Sequence, residues 1–121
     1  MPKTVLIVED NTLYMKMMND LLQASGYEVL KSIDGNDVMV MVKEHRPDLI
    51  VMDIQLPGIS GLELTQMLKA DDELKQIPVI AVTAFALTGD EQKFLEAGCD
   101  DYIAKPISVT GFLATVSKHL I

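Results

Sequence analysis

Cysteine is nearly absent from this chain: Cys99 stands alone. It can form no internal disulfide and lacks the companions a thiolate metal site requires, which leaves a buried small-residue role. Arginine occurs only as Arg46, and 18 acidic side chains against 10 basic ones give a net charge of −8. A footprint for a phosphate backbone is therefore missing, which argues against direct nucleic-acid binding. No apolar run exceeds about five residues, far below the roughly 20 that a spanning helix needs. Before Glu9 and Asp10 the amino terminus offers only the apolar stretch Val5 to Val8, too short and too closely followed by acid to be a signal-peptide core, so a cytoplasmic protein with no membrane partner is expected. Histidine is scarce as well. His45 lies before Pro47 at a helix end and His119 near the carboxyl terminus, and both read as surface residues rather than ligands.

What is present is one domain's worth of chain. Its 121 residues, 49% of them apolar, can bury a single core and leave no room for a separate effector module, so residues 1–121 read as one domain without an output domain. Short β-rich runs occur at Val5 to Val8, Val29-Leu30, Leu49 to Met52, Val79 to Val82 and Tyr102 to Ala104, separated by helical-length segments. The first helix is expected over Thr12 to Ala24, with Leu13, Met17, Leu21 and Ala24 at helical spacing and Gly26 as its carboxyl cap. Asp34-Gly35 opens a second that Pro47 ends, and Ser60-Gly61-Leu62-Glu63 and Thr88-Gly89-Asp90-Glu91 carry capping-box spacing for a third and a fourth. Gly98 ends the fourth, and a fifth from Ser108 places Val109, Phe112, Leu113, Val116 and Leu120 on one stripe. Strand-helix alternation of this kind implies a doubly wound α/β fold, because parallel neighbours need crossover connections.

Strand polarity then sorts the acidic residues. In an open parallel sheet ligands collect beyond the carboxyl ends of the strands. Glu9 and Asp10 follow the first run, Asp53 the third, Thr83 the fourth and Lys105 the fifth, so all five share that edge. Asp100-Asp101 precedes its strand and Asp71-Asp72 lies in the loop after the third helix; both pairs read as solvated or capping. Carboxylates crowded at Glu9, Asp10 and Asp53 repel unless a hard cation shares them or a proton stays bound, and an oxygen-only donor set suits Mg2+. Such an ion, the Lys105 ammonium and the Thr83 hydroxyl would suit a phosphoryl group approaching Asp53 as nucleophile. Singly, each residue also fits an ordinary solvated or capping role; the combination carries the reading.

Glu9-Asp10 after the first strand, Asp53, Thr83-Ala84 and Lys105-Pro106 together resemble the receiver domains of two-component response regulators, over the whole chain. The resemblance implies a five-stranded sheet in the order 2-1-3-4-5. It implies Asp53 as phosphoacceptor, Mg2+ held by Asp10, Asp53 and the Gln55 backbone carbonyl with Glu9 acting through water, and Lys105 paired with the phosphoryl group. It also makes Thr83 and Tyr102 a switch pair, the ring turning inward as the hydroxyl is drawn toward the phosphoryl oxygen. Gln55 and Phe85 match positions that tune phosphoryl lifetime. More narrowly, Val8-Glu9-Asp10-Asn11, Asp53-Ile54-Gln55-Leu56-Pro57, Ala81 to Ala86 and Lys105 to Ser108 resemble DivK-type single-domain regulators of alphaproteobacterial cell division. Partners implied are histidine kinases or phosphotransfer proteins and a pseudokinase.

Leu13, Tyr14, Met15, Met17 and Met18 exceed what one buried stripe needs, which suggests an adaptable docking face; the family places Tyr14, Met17 and Ile107 against the kinase or phosphotransfer bundle. Core packing of these methionines is the competing reading. Three functions fit the chemistry: a switch whose phosphorylated form binds a partner, a phosphorelay shuttle or phosphate sink, and an aspartyl-phosphate enzyme. Gln55 stands where such enzymes carry a second aspartate, which disfavours the third and predicts a protein that catalyses only its own phosphorylation and dephosphorylation.

Overall fold

A computed structural model supplies the structure and describes residues 2–56, 58–84 and 91–120. Strands and helices alternate: β1 Thr4–Val8, α1 Thr12–Ala24, β2 Glu28–Ser32, α2 Val38–His45, β3 Leu49–Asp53, α3 Gly61–Ala70, β4 Val79–Thr83, α4 Glu91–Glu96, β5 Asp101–Ala104 and α5 Val109–Leu120. All neighbouring strands are parallel, in the order β2-β1-β3-β4-β5, as the family resemblance implied. β2 is longer than its apolar dipeptide because Lys31 and Ser32 pair with Ile7 and Val8 through backbone alone. α2 starts three residues after Gly35 rather than at it. Gly35 has a φ of +83°, and the buried Ser32 hydroxyl accepts from the Gly35 N–H and donates to Asp37, so this stretch is held as a loop. α2 ends where Arg46 turns left-handed and Pro47 forbids another helical turn. The capping signature at Thr88 to Asp90 lies outside the described residues.

Side-chain alternation splits the core in two. Val5 and Ile7, Leu49 and Val51, Ile80 and Val82, and Ile103 face α1 and α5, meeting Met15, Met18, Leu22, Phe112 and Val116. Leu6 and Val8, Ile50 and Met52, and Val79 and Ala81 face the other way, against α2, α3 and α4. The expected stripe of α1 is corrected here. Met15, Met18 and Leu22 are buried, Met17 and Leu21 flank them, and Leu13 is 78% exposed. Two overlapping stripes have helical spacing in this methionine-rich helix, so periodicity does not choose between them; packing on the sheet does. In α5, Phe112 and Val116 are buried as expected, whereas Val109, in the first turn, lies 49% exposed.

Of the acidic pairs outside the ligand edge, Asp71-Asp72 is capping and solvated as expected, and Asp100-Asp101 differs. Asp71 caps the Glu73 N–H and Asp72 is solvated, but Asp100 binds Lys69 Nζ and the Val79 N–H, each at 2.8 Å. Asp101 meets His119 Nε2 at 3.1 Å and Lys118 Nζ at 3.4 Å. His119 is thus a half-buried partner rather than a free surface histidine, because it sits on α5 facing the start of β5. Cys99 is buried beside Thr65, as its isolation suggested.

Candidate functional site

The carboxyl ends of the strands converge between the two layers of helices. Glu9 directly follows β1, Asp53 ends β3 and Thr83 ends β4; all three are buried, at 1%, 3% and 1% exposure. Alternation carries Glu9, Asp53 and Lys105 to the α1–α5 face, continuing Ile7, Val51 and Ile103, so they meet. Thr83 continues Val79 and Ala81 on the opposite face. Oxygens of Glu9, Asp10 and Asp53 lie within 4.8 Å of one another, with Asp10 exposed to solvent. Lys105 Nζ is 2.9 Å from Glu9 Oε1 and 3.6 Å from Asp53 Oδ2, and its side chain is 15% exposed. The other oxygens are oriented by backbone: the Asn11 N–H donates to Glu9 Oε2 at 3.1 Å, and the Gln55 N–H to Asp53 Oδ1 at 2.9 Å.

Three carboxylates and one ammonium leave the cluster short of positive charge. Burial pushes the Asp53 carboxyl up to about 6; the Glu9 carboxyl, by hydrogen bond and charge, pushes the same way, while the Gln55 N–H and Lys105 pull back. Lys105 moves in the other sense. Burial alone would lower it, but Glu9 and Asp53 outweigh burial and raise it, so it stays charged. Glu9 Oε1 is close to Lys105 yet makes no aligned hydrogen bond, leaving a buried acceptor aimed into the cluster. An all-oxygen donor set with an under-satisfied buried carboxylate fits a hard divalent cation. A cavity of about 200 Å³, lined by Glu9, Asp10, Met15, Lys16, Lys31 and Ile33 among others, gives access between α1 and the end of β2.

Elements that the strand-end reasoning passed over complete the site. Ser32, ending β2, accepts the Glu9 N–H on its carbonyl at 3.0 Å. Asn11 caps α1 through Oδ1 to the Tyr14 N–H at 3.0 Å; the signal was an asparagine directly before a helix. Gly61 is required by a close approach: a Cβ there would lie 2.2 Å from the Asp53 carbonyl oxygen. The amino terminus of α3 thereby packs against the backbone that carries Asp53.

Among the expected docking residues, Tyr14 and Met17 are half-buried at the edge of α1. Ile107, at 9% exposure, packs in the α1–α5 core. Tyr102 is half-buried on the same sheet face as Thr83, opposite Ala81. Phe85 lies outside the described residues. Among these residues no helix is long and apolar enough to cross a membrane.

Comparison with known proteins agrees with this geometry. Residues 5–117 match the model of the response regulator receiver domain. The chain is 58% identical over 120 residues to the polar-differentiation response regulator DivK of Brucella anthropi, covering 99% of this chain and 98% of that one. It is 55% identical, with the same coverage, to the DivK of Brucella ovis. Among solved structures it is similar to the receiver domain of a sensor histidine kinase from Pseudomonas aeruginosa, crystallised with magnesium coordinated in the active-site cleft (TM-score 0.89, 32% identity, 98% and 97% of the two chains). It is also similar to a CheY-like receiver domain protein from Methanospirillum hungatei (TM-score 0.88, 29% identity, 99% and 94%). Sheet order, site geometry and sequence thus agree that the chain belongs to the receiver domains of response regulators.

Proposed function

We propose that Asp53 accepts a phosphoryl group from a histidine kinase or phosphotransfer protein, and that the acyl phosphate so formed changes which proteins this domain binds. The observation that carries the reading is the meeting of Glu9, Asp10 and Asp53 within 4.8 Å, with Lys105 Nζ set between Glu9 and Asp53. Glu9, Asp10 and Asp53, with the Gln55 carbonyl, would hold Mg2+. When bound, the ion supplies neutralising charge to the carboxylates and to the oxygens of the arriving phosphoryl group.

The chain's own groups do the rest. The Gln55 N–H fixes Asp53 Oδ1, so Oδ2, on the Lys105 side, is the oxygen presented to phosphorus. The new bond forms from Oδ2 to phosphorus as the donor departs with its electron pair. Lys105 then exchanges part of its attraction to Asp53 for the phosphoryl oxygens. Thr83 is the last residue of β4 and its carbonyl accepts the Lys105 N–H at 2.8 Å, so past the strand end its hydroxyl can bind another of those oxygens although the side chain starts from the opposite face. Tyr102 shares its sheet face, so a displaced hydroxyl makes room for the ring and biases an existing equilibrium on the face of α4, β5 and α5. The added charge of about −1.5 to −2 supplies the energetic difference between the two states. Gln55 in place of a second acid fits a domain that catalyses only its own phosphorylation and dephosphorylation.

The resemblance to DivK regulators supports a role in the control of cell division and polarity, with Tyr14 and Met17 facing the kinase or phosphotransfer bundle, a pseudokinase as a further partner, and a cytoplasmic location. The test is incubation with acetyl phosphate and Mg2+ followed by intact mass measurement. A phosphoryl adduct on the wild type and none on Asp53→Asn is expected. An equal adduct on both proteins would overturn the assignment.

A further inference from the structure

Lys105 is a long, flexible side chain, and a lysine that must meet a phosphoryl group needs something besides the group itself to hold it in place. Its ammonium lies 4.5 Å from the centroid of the Tyr14 ring, on the ring's face. Tyr14 is itself placed by the first acidic residue of the site. Glu9 Oε2 accepts the Asn11 N–H, Asn11 Oδ1 caps α1 at the Tyr14 N–H, the Tyr14 ring faces Lys105, and Lys105 returns to Glu9 Oε1. The four residues form a closed circuit across β1, α1 and the segment after β5.

We propose that Tyr14 is a positioning residue for phosphoryl transfer: its ring is the platform that keeps the Lys105 ammonium at the site when the carboxylates turn to other partners. The proposal rests on Asp53 being the acceptor. The physical reason lies in what each contact does during transfer. Among the described residues Glu9 and Asp53 are the other groups paired with the Lys105 ammonium, and both give up charge to a cation or to the new bond. The attraction of the ring face depends on neither. A half-buried aromatic at this position therefore does more than offer a surface to a partner.

The test uses acetyl phosphate, so that no protein contact at Tyr14 enters. Tyr14→Phe keeps the ring face; Tyr14→Leu keeps the apolar packing of α1 and removes the face. The Leu variant is expected to show the second-order rate constant for Asp53 phosphorylation lowered about threefold to thirtyfold, with the Phe variant close to wild type. Proton NMR of the Lys105 ε-methylene reads the same contact without phosphorylation: an upfield ring-current shift in wild type and Phe, lost in Leu. A Leu variant as fast as wild type, a Phe variant as slow as Leu, or a wild-type Lys105 with no ring-current shift would overturn the proposal. If wild type forms no adduct at Asp53, the acceptor assignment fails instead, and the NMR shift alone then decides the Tyr14 contact.

Discussion

Replacing Asp53 with asparagine should stabilise the metal-free protein, although it removes the residue on which the function turns. Asp53 is 3% exposed and its carboxyl is pushed up to about 6 from an ordinary 3.8, so ionising it in the folded state costs more than in the unfolded chain. A difference of about two pH units at ~1.4 kcal/mol each comes to about 3 kcal/mol once the carboxylate is fully ionised. Asparagine escapes that cost, in which the pull of Lys105 is already contained, so a net gain of up to about 3 kcal/mol is expected, or up to roughly 12 °C in melting temperature. The sign follows from the raised value. Between about pH 4 and 6 the native state binds more protons than the unfolded chain, so wild-type stability from this group is complete below 3.8 and is lost as pH rises through 6. Thermal melts in EDTA from pH 4 to 8 should show the wild type falling behind Asp53→Asn across that window. Millimolar Mg2+ at pH 7.5 should then narrow the gap by binding the native wild-type cluster. A variant that melts below the wild type in EDTA at pH 7.5, or a difference that does not change with pH, would refute the repulsion argument.

Gly61→Ala should cost about 1–3 kcal/mol in denaturant melts and slow acetyl phosphate labelling, because the new methyl forces α3 away from the Asp53 backbone; unchanged stability would contradict the close approach. Met17→Glu should impair transfer from a cognate kinase while leaving acetyl phosphate labelling intact, and loss of both would show that Met17 serves the core. The Asp101 carboxyl sits below its usual range: burial raises it, but hydrogen bonds from His119 and the Tyr102 N–H, with Lys118, prevail. Its contribution is present above about pH 4 and is lost on acidification through the lowered value, so Asp101→Asn should flatten the acid limb of the stability profile; an unchanged limb would count against the His119 pairing.

How much of this was legible beforehand differs by residue. Glu9, Asp10, Asp53, Thr83 and Lys105 could be grouped because strand polarity fixes which end of each run faces the ligand edge, and the structure places them at that edge. Parity counted along the strands puts Glu9 and Asp53 on one sheet face and Thr83 on the other, but Asp10, beyond the end of β1, still joins Glu9 and Asp53, so parity alone does not decide which strand-end residues come together. Leu13 and Met15 were indistinguishable by period alone, since both belong to helical stripes of an apolar-rich helix. His119 was misjudged as a surface residue because its burial comes from an element distant in sequence: it meets Asp101 across α5 and β5. The contact of Tyr14 with Lys105 joins residues 91 positions apart and left no local signal.

The central claim is the identity of the phosphorylated residue, and chemical mapping tests it most directly. Borohydride reduces an acyl phosphate on aspartate to homoserine, so acetyl phosphate treatment with Mg2+, reduction and tandem mass spectrometry of the proteolysed chain reads the residue itself. Homoserine at position 53 is predicted. Reduction at Asp10 or Glu9 with Asp53 intact, or an adduct carried only by a histidine, would contradict the account.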